Sequence, residues 1–154
     1  MAYLWVKWLH IVSSTVLFGT GMGIAFFKWH SDRHEDARAQ AAILRIVVAA
    51  DWRFTAPAVI VQLVTGLWLA QNAGWSLNNG WIFWALTLYL FAGACWLPVL
   101  WLQIKMRSLA EVAAESGGAL PANYHRYRRI WFALGAPAFL ALLIVFYLMV
   151  FKPT

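Results

Sequence analysis

A histidine and an aspartate stand out from the apolar stretches of this chain. His10 lies in "VKWLHIVSSTVLFGTGMG" (6–23) and Asp51 in "AADWRFTAP" (49–57). Polar groups are costly in hydrocarbon, so each is a candidate for function. A neutral imidazole can ligate haem iron, or it can hydrogen-bond a neighbouring helix. At about 100° per residue, Tyr3, Ser14, Leu17, Gly21 and Lys28 share the His10 face. Gly21 on that stripe lets a flat macrocycle, or another backbone, approach. Gly19 and Gly23 form a GxxxG pair that points roughly the opposite way, the spacing used for close helix packing.

The site that a cofactor would need can be sketched by depth. His10 sits about six residues into its helix, roughly 9 Å below the boundary at helical rise. The same layer holds Thr65 and Gly66, Trp84, and Met149. His10 as ligand to a haem b, with Gly21, Thr65 and Trp84 as walls and Met149 as axial partner, is one reading. A packing role, with His10 bonded to Thr65, is the other. His30, His34 and His125 fall in connections, so they supply no second membrane histidine.

Asp51 has two readings as well. Topology brings Arg53, Arg128 and Arg129 to a similar depth, which predicts a salt bridge tying the second segment to the fourth. A proton relay or an anion-binding cluster is the sharper alternative. Gln62 and Gln103 bridge helices or line a path. Cys95 reads as packing, and "HSDRHED" as a solvated loop with only weak metal-site character.

These groups are positioned by four apolar segments, at about 3–28, 52–72, 80–104 and 130–151. Each is long enough to cross a hydrocarbon core of about 30 Å. The chain of 154 residues is 63% hydrophobic and 12% charged, with eleven tryptophans and five tyrosines. Its mean hydropathy is +0.66. So small a chain cannot hide that much apolar surface from water, and a bilayer is the expected partner. No segment alternates with the period of a barrel strand. The fold expected is an all-α, integral membrane four-helix bundle forming a single domain. The N-terminal run is read as a retained helix, because it is about twice as long as a signal-peptide core.

The connections set the orientation. Residues 28–40 and 105–129 are charged, whereas "AGWSLNNG" (73–80) carries no charge. "AAILRIVVAAD" (41–51) reads as an extension of the second segment or as an interfacial helix. Residues 105–129 read as a helix running beyond the membrane, broken at Gly117-Gly118 and Pro121. Ten of the twelve Lys and Arg residues lie at or near the two charged connections. The positive-inside rule therefore predicts periplasmic termini and cytoplasmic helical extensions in a bacterial inner membrane. The net charge of +6 is explained by these loops, and nucleic acid is not an expected partner.

Near-complete resemblance rests on "WVKWLHIVSSTVLFGTGMGIAFF", "ADWRFTAPAVIVQLVTGLWLA", "CWLPVLWLQIKMR" and "YRRIWFALGAPAFLALLIVFYLMVFKP". Through these the chain resembles a family of bacterial integral membrane proteins of unknown function, which implies four helices and no assigned reaction. Its first helix, "LWVKWLHIV" followed by "FGTGMG", is also similar to that of HemJ-type protoporphyrinogen oxidases and CopD-like membrane domains. The similarity implies a histidine needed for haem binding or activity, and His10 matches it. Those enzymes carry a functional lysine on a later helix, and "GWIFWALTLYLFAG" has none.

Three functions follow as expectations. One is a redox protein with haem b near the periplasmic side, serving a quinol or a porphyrin-like ligand. Another is a small dimeric transporter or permease using Asp51, Gln62 and helices kinked at Pro57, Pro98 and Pro137. The third is an accessory subunit without chemistry, in which Gly19 and Gly23 serve assembly.

Overall fold

A computed structural model describes residues 1–78 and 80–153. Four helices are long and apolar enough to cross a membrane: α1 (Ala2–Ser31), α2 (Ala37–Asn72), α3 (Gly80–Ser116) and α4 (Ala122–Phe151). No strand occurs among the described residues. The bundle has a terminal end, with both chain termini and the 73–78 turn, and a connector end, with residues 32–36 and 117–121.

The helices outrun the apolar segments at the connector end. α2 starts at Ala37, so residues 41–51 are a continuous extension and not a separate interfacial helix. Asp36 caps it by accepting from the Arg38 backbone N–H at 2.9 Å. The extension has a buried stripe of Ala37, Gln40, Ala41, Leu44, Val47 and Val48, at the spacing of one helical face. That stripe meets Met106, Ala110 and Ala113 on α3, which runs on to Ser116. α3 stops at Gly117, whose φ of +65° takes the left-handed conformation that closes a helix C-terminus.

One irregularity divides α2. Asp51–Thr55 is a π turn, in which the Ala56 N–H bonds the Asp51 carbonyl five residues back. Pro57 follows directly. It has no N–H to donate, and its ring crowds the carbonyl one turn earlier, so the wider turn relieves both problems. The π turn also changes partners: before it α2 packs chiefly on α3 and less on α1, and after it chiefly on α1. The helices therefore separate toward the terminal end into an α1–α2 pair and an α3–α4 pair. α1 and α4 meet only sparsely. The main core, with Leu44, Val47, Leu102, Met106, Tyr124 and Trp131, lies at the connector end. A smaller core of Trp81, Ile82, Ala85, Val145 and Leu148 joins α3 to α4 at the other.

Candidate functional site

His10 stands on the α1 face that meets α2, and both of its ring nitrogens are engaged. Nδ1 lies 2.8 Å from Thr65 Oγ1, and Nε2 lies 3.1 Å from Gln62 Nε2. The Thr65 hydroxyl donates to the Val61 carbonyl, so it accepts from the ring. Ser13 donates to Gln62 Oε1, which turns the amide N–H toward His10. The arrangement that satisfies every partner is a neutral imidazole with its proton on Nδ1. Gly66 makes this approach possible: a Cβ there would lie 3.1 Å from His10 Cε1.

The residues expected around a cofactor are dispersed. His10 and Met149 line one cavity of about 490 Å³ between the two helix pairs, with Tyr3, Ser14, Trp75 and Trp81. Thr65 is buried and bonded to His10. Gly21 lines a different cavity. Trp84 is 57% exposed on the outer face of the bundle. Both imidazole nitrogens being spoken for, the residues as arranged do not fit an axial haem ligand.

The second cavity, about 580 Å³, lies where α1 and α4 part, with α2 and α3 behind. Leu17, Tyr89 and Leu142 line both cavities, which therefore adjoin end to end. Phe18 lines the first and Phe139 the second, and their rings stack 4.7 Å apart between α1 and α4. Asp51 stands in the wall of the second cavity and is only 2% exposed. Trp96 Nε1 lies 3.4 Å from its Oδ1, and Thr55 and Gln103 lie beside the carboxyl. Asp51 Oδ2, Thr55 Oγ1, Gln103 Oε1 and Trp131 Nε1 are buried and have no hydrogen-bond partner among the described residues. All four residues line this cavity.

The predicted pairing of Asp51 with arginine is not formed. The ion pairs among the described residues are Lys28–Asp32, Arg45–Glu111 and Arg107–Glu111. Arg53 and Arg129 are exposed, and Arg128 donates to the Asp32 carbonyl at 3.3 Å. Equal depth did not bring equal facing: the arginines at this level turn outward or toward α1. Gly19 and Gly23 pack against no other helix among the described residues of this chain: a Cβ at Gly19 meets nothing within 4 Å and one at Gly23 meets only Phe27 of its own helix.

A polar cluster at the connector end was not legible. Lys28, Gln40 and Tyr124 are 0% exposed. Lys28 Nζ bonds Asp32 and, at 3.0 Å, the Tyr124 hydroxyl, which donates to Gln40 Oε1 at 2.8 Å. Gln40 Nε2 donates to the Ser31 carbonyl at 2.6 Å. Lys28 falls on the His10 stripe, the one available hint, but charge counting places it in a loop. His30 and His34 belong to no group of three metal-ligating side chains among the described residues. Cys95 is buried.

The family described as "Predicted integral membrane protein (DUF2269)" matches residues 4–153. The chain belongs to that family. Its members share an integral membrane character without an assigned function, in keeping with the four spanning helices. No curated protein and no solved structure matches the chain.

Proposed function

We propose that this protein is a proton-linked transporter of a small solute, seated in a bacterial inner membrane with its connector end in the cytoplasm. The observation that carries the reading is Asp51, a 2%-exposed carboxyl with an unpartnered oxygen in the wall of a cavity. An ionisable group at membrane depth is tolerated where it faces a cavity and serves a substrate or a proton. The cavities supply the path. One reaches toward the terminal end past His10, the other toward the connector end past Asp51, and the Phe18–Phe139 stack stands between them. Parting those rings joins the cavities, and closing them isolates each. The π turn beside Asp51 is the joint about which the two halves of α2 differ in partner. The orientation rests on the basic residues gathered at the connector end. Four helices leave the Asp51 cavity open beside the exposed Phe26 and Trp29, and a second copy completes the wall.

The test is solute-dependent proton flux in proteoliposomes holding a pH dye. Amines, organic anions, sugars and amphiphiles are added in turn. One class moves protons with the native protein and none does with Asp51→Asn. Flux no greater than in protein-free vesicles for every class overturns the proposal. The haem b reading, with a quinol or porphyrin-like ligand, draws on the first-helix resemblance and on His10 and Met149 sharing a cavity. It requires Gln62 to release His10 Nε2, and a Soret band in the purified protein, lost in His10→Ala, is its test.

A further inference from the structure

The cavity beside Asp51 presents a one-sided set of polar groups. Asp51 Oδ2, Thr55 Oγ1 and Gln103 Oε1 gather in its wall with no close hydrogen bond of their own; the carboxylate and the amide oxygen can only accept, and only Trp131 Nε1 is an obligate donor. Such a site asks for a ligand that donates or is positively charged. No Lys or Arg lines it among the described residues, so an anion would find no counter-charge. The rest of the wall is mostly apolar and includes the aromatic rings of Phe26, Trp96, Phe132 and Phe139. Aromatic faces attract a cation, most strongly where water is excluded.

The cavity also has room for a bulky ligand. Gly21, Gly93 and Gly135 line it from three helices, and a Cβ at any of them would meet nothing within 4 Å. Its volume of about 580 Å³ is in the range that holds a drug-sized molecule.

We propose that this cavity binds a lipophilic organic cation in exchange for a proton, with Asp51 as the counter-ion. The proposal rests on the transport reading and names its substrate class. In the proposed cycle the Asp51 carboxyl holds a proton while the cavity is empty. A monovalent cation enters, the carboxylic acid gives up that proton, and the carboxylate pairs with the cation. Charge is conserved, one for one. Asp51 and Tyr89 are the ionisable groups among the lining residues. The Tyr89 hydroxyl donates to the Val59 carbonyl at 2.8 Å, which leaves Asp51 to exchange the proton.

The experiment is titration of the purified full-length protein, in detergent at low buffer strength, with tetraphenylphosphonium and with a neutral tetraphenyl isostere. Heat and pH are followed together. The expected result is saturable binding of the cation with about one proton released per cation bound. The isostere binds at least tenfold more weakly. Asp51→Asn lowers cation affinity at least tenfold and abolishes the proton release. Gly135→Leu fills the cavity without touching the carboxyl and also blocks binding, which guards against misfolding of the first variant. Binding without proton release, equal binding of the isostere, or binding unaltered by Gly135→Leu overturns the proposal. If the phosphonium does not bind but another solute class still drives Asp51-dependent proton flux, the cation assignment falls and the transport reading stands. If no class drives flux, the transport reading falls with it.

Discussion

Two groups of buried polar side chains sit one above the other in this bundle, and they are built on opposite principles. At the connector end, Lys28, Asp32, Gln40 and Tyr124 satisfy one another and leave over only Asp32 Oδ2. They join α1, α2 and α4 where the apolar core is thickest. One level deeper, Asp51, Thr55, Gln103 and Trp131 converge from three helices without bonding one another fully, and a cavity lies in front of them. A closed polar network fixes helices in place, and a one-sided one leaves valences for something else. Burial alone would have ranked the two groups equal. What separates them is whether the partners are already inside the protein.

The closed network is the place to expect the largest loss. Lys28→Met leaves Asp32 buried without its cation, a change of about 3–5 kcal/mol. Thermal unfolding in detergent checks it, with a fall in Tm of roughly 10 °C expected. The double variant Lys28→Met, Asp32→Leu recovers most of that loss, because both charges are then gone. Tyr124→Phe removes one hydroxyl and leaves Gln40 Oε1 with two longer bonds, from Ser31 Oγ at 3.3 Å and Lys28 Nζ at 3.5 Å. A loss of about 1–2 kcal/mol is expected in the same assay. Tm values near the native one for both single variants would show that this cluster is no tighter than the one above it.

The two groups also differed in how far the sequence revealed them. Hydropathy and loop charge are properties of one segment, and they placed four helices and their connector-end extensions. Asp51 was visible because a carboxylate inside an apolar run is conspicuous by itself. Its neighbours were not, because depth along a helix does not tell which way a side chain turns. Trp96 and Gln103 face it from α3, whereas Arg53 and Arg129, at comparable depth, face outward. Lys28 was hidden for the converse reason: its burial depends on Gln40 and Tyr124, which are remote in sequence. Glycine showed the same limit. The GxxxG spacing of Gly19 and Gly23 is open on the chain's own surface, and the close approach occurs at Gly66, which follows no such pattern.

That contrast between glycines makes a smaller test. The His10 group is a third closed network, tied by Gln62, Thr65 and Ser13. Gly66→Ala places a methyl 3.1 Å from His10 Cε1, so the ring must shift and one of its hydrogen bonds lengthens. About 1 kcal/mol of stability should be lost, comparable to one weakened hydrogen bond. Gly19→Ala meets nothing within the chain and should leave Tm unmoved. Equal losses at both positions would show that the Gly66–His10 approach has no special weight.

Among the buried polar groups the smallest stability effect is expected at Asp51, and it is the most telling. Asp51→Asn keeps an oxygen for the Trp96 N–H and removes an acid whose Oδ2 has no close partner among the described residues. The change in unfolding free energy should stay within about 0.5 kcal/mol, because the amide keeps an acceptor for Trp96 and offers an N–H to the neighbouring Gln103 Oε1. Proton-linked flux should disappear all the same. Stability and function thus move independently at Asp51, while at Lys28 the loss is structural first. A fall in Tm for Asp51→Asn as large as that for Lys28→Met would mean that the carboxyl holds the π turn together. The difference between the two groups would then be one of degree only. An unmoved Tm with lost flux assigns the spare valences beside Asp51 to a ligand or a proton, because nothing inside the chain would register their loss.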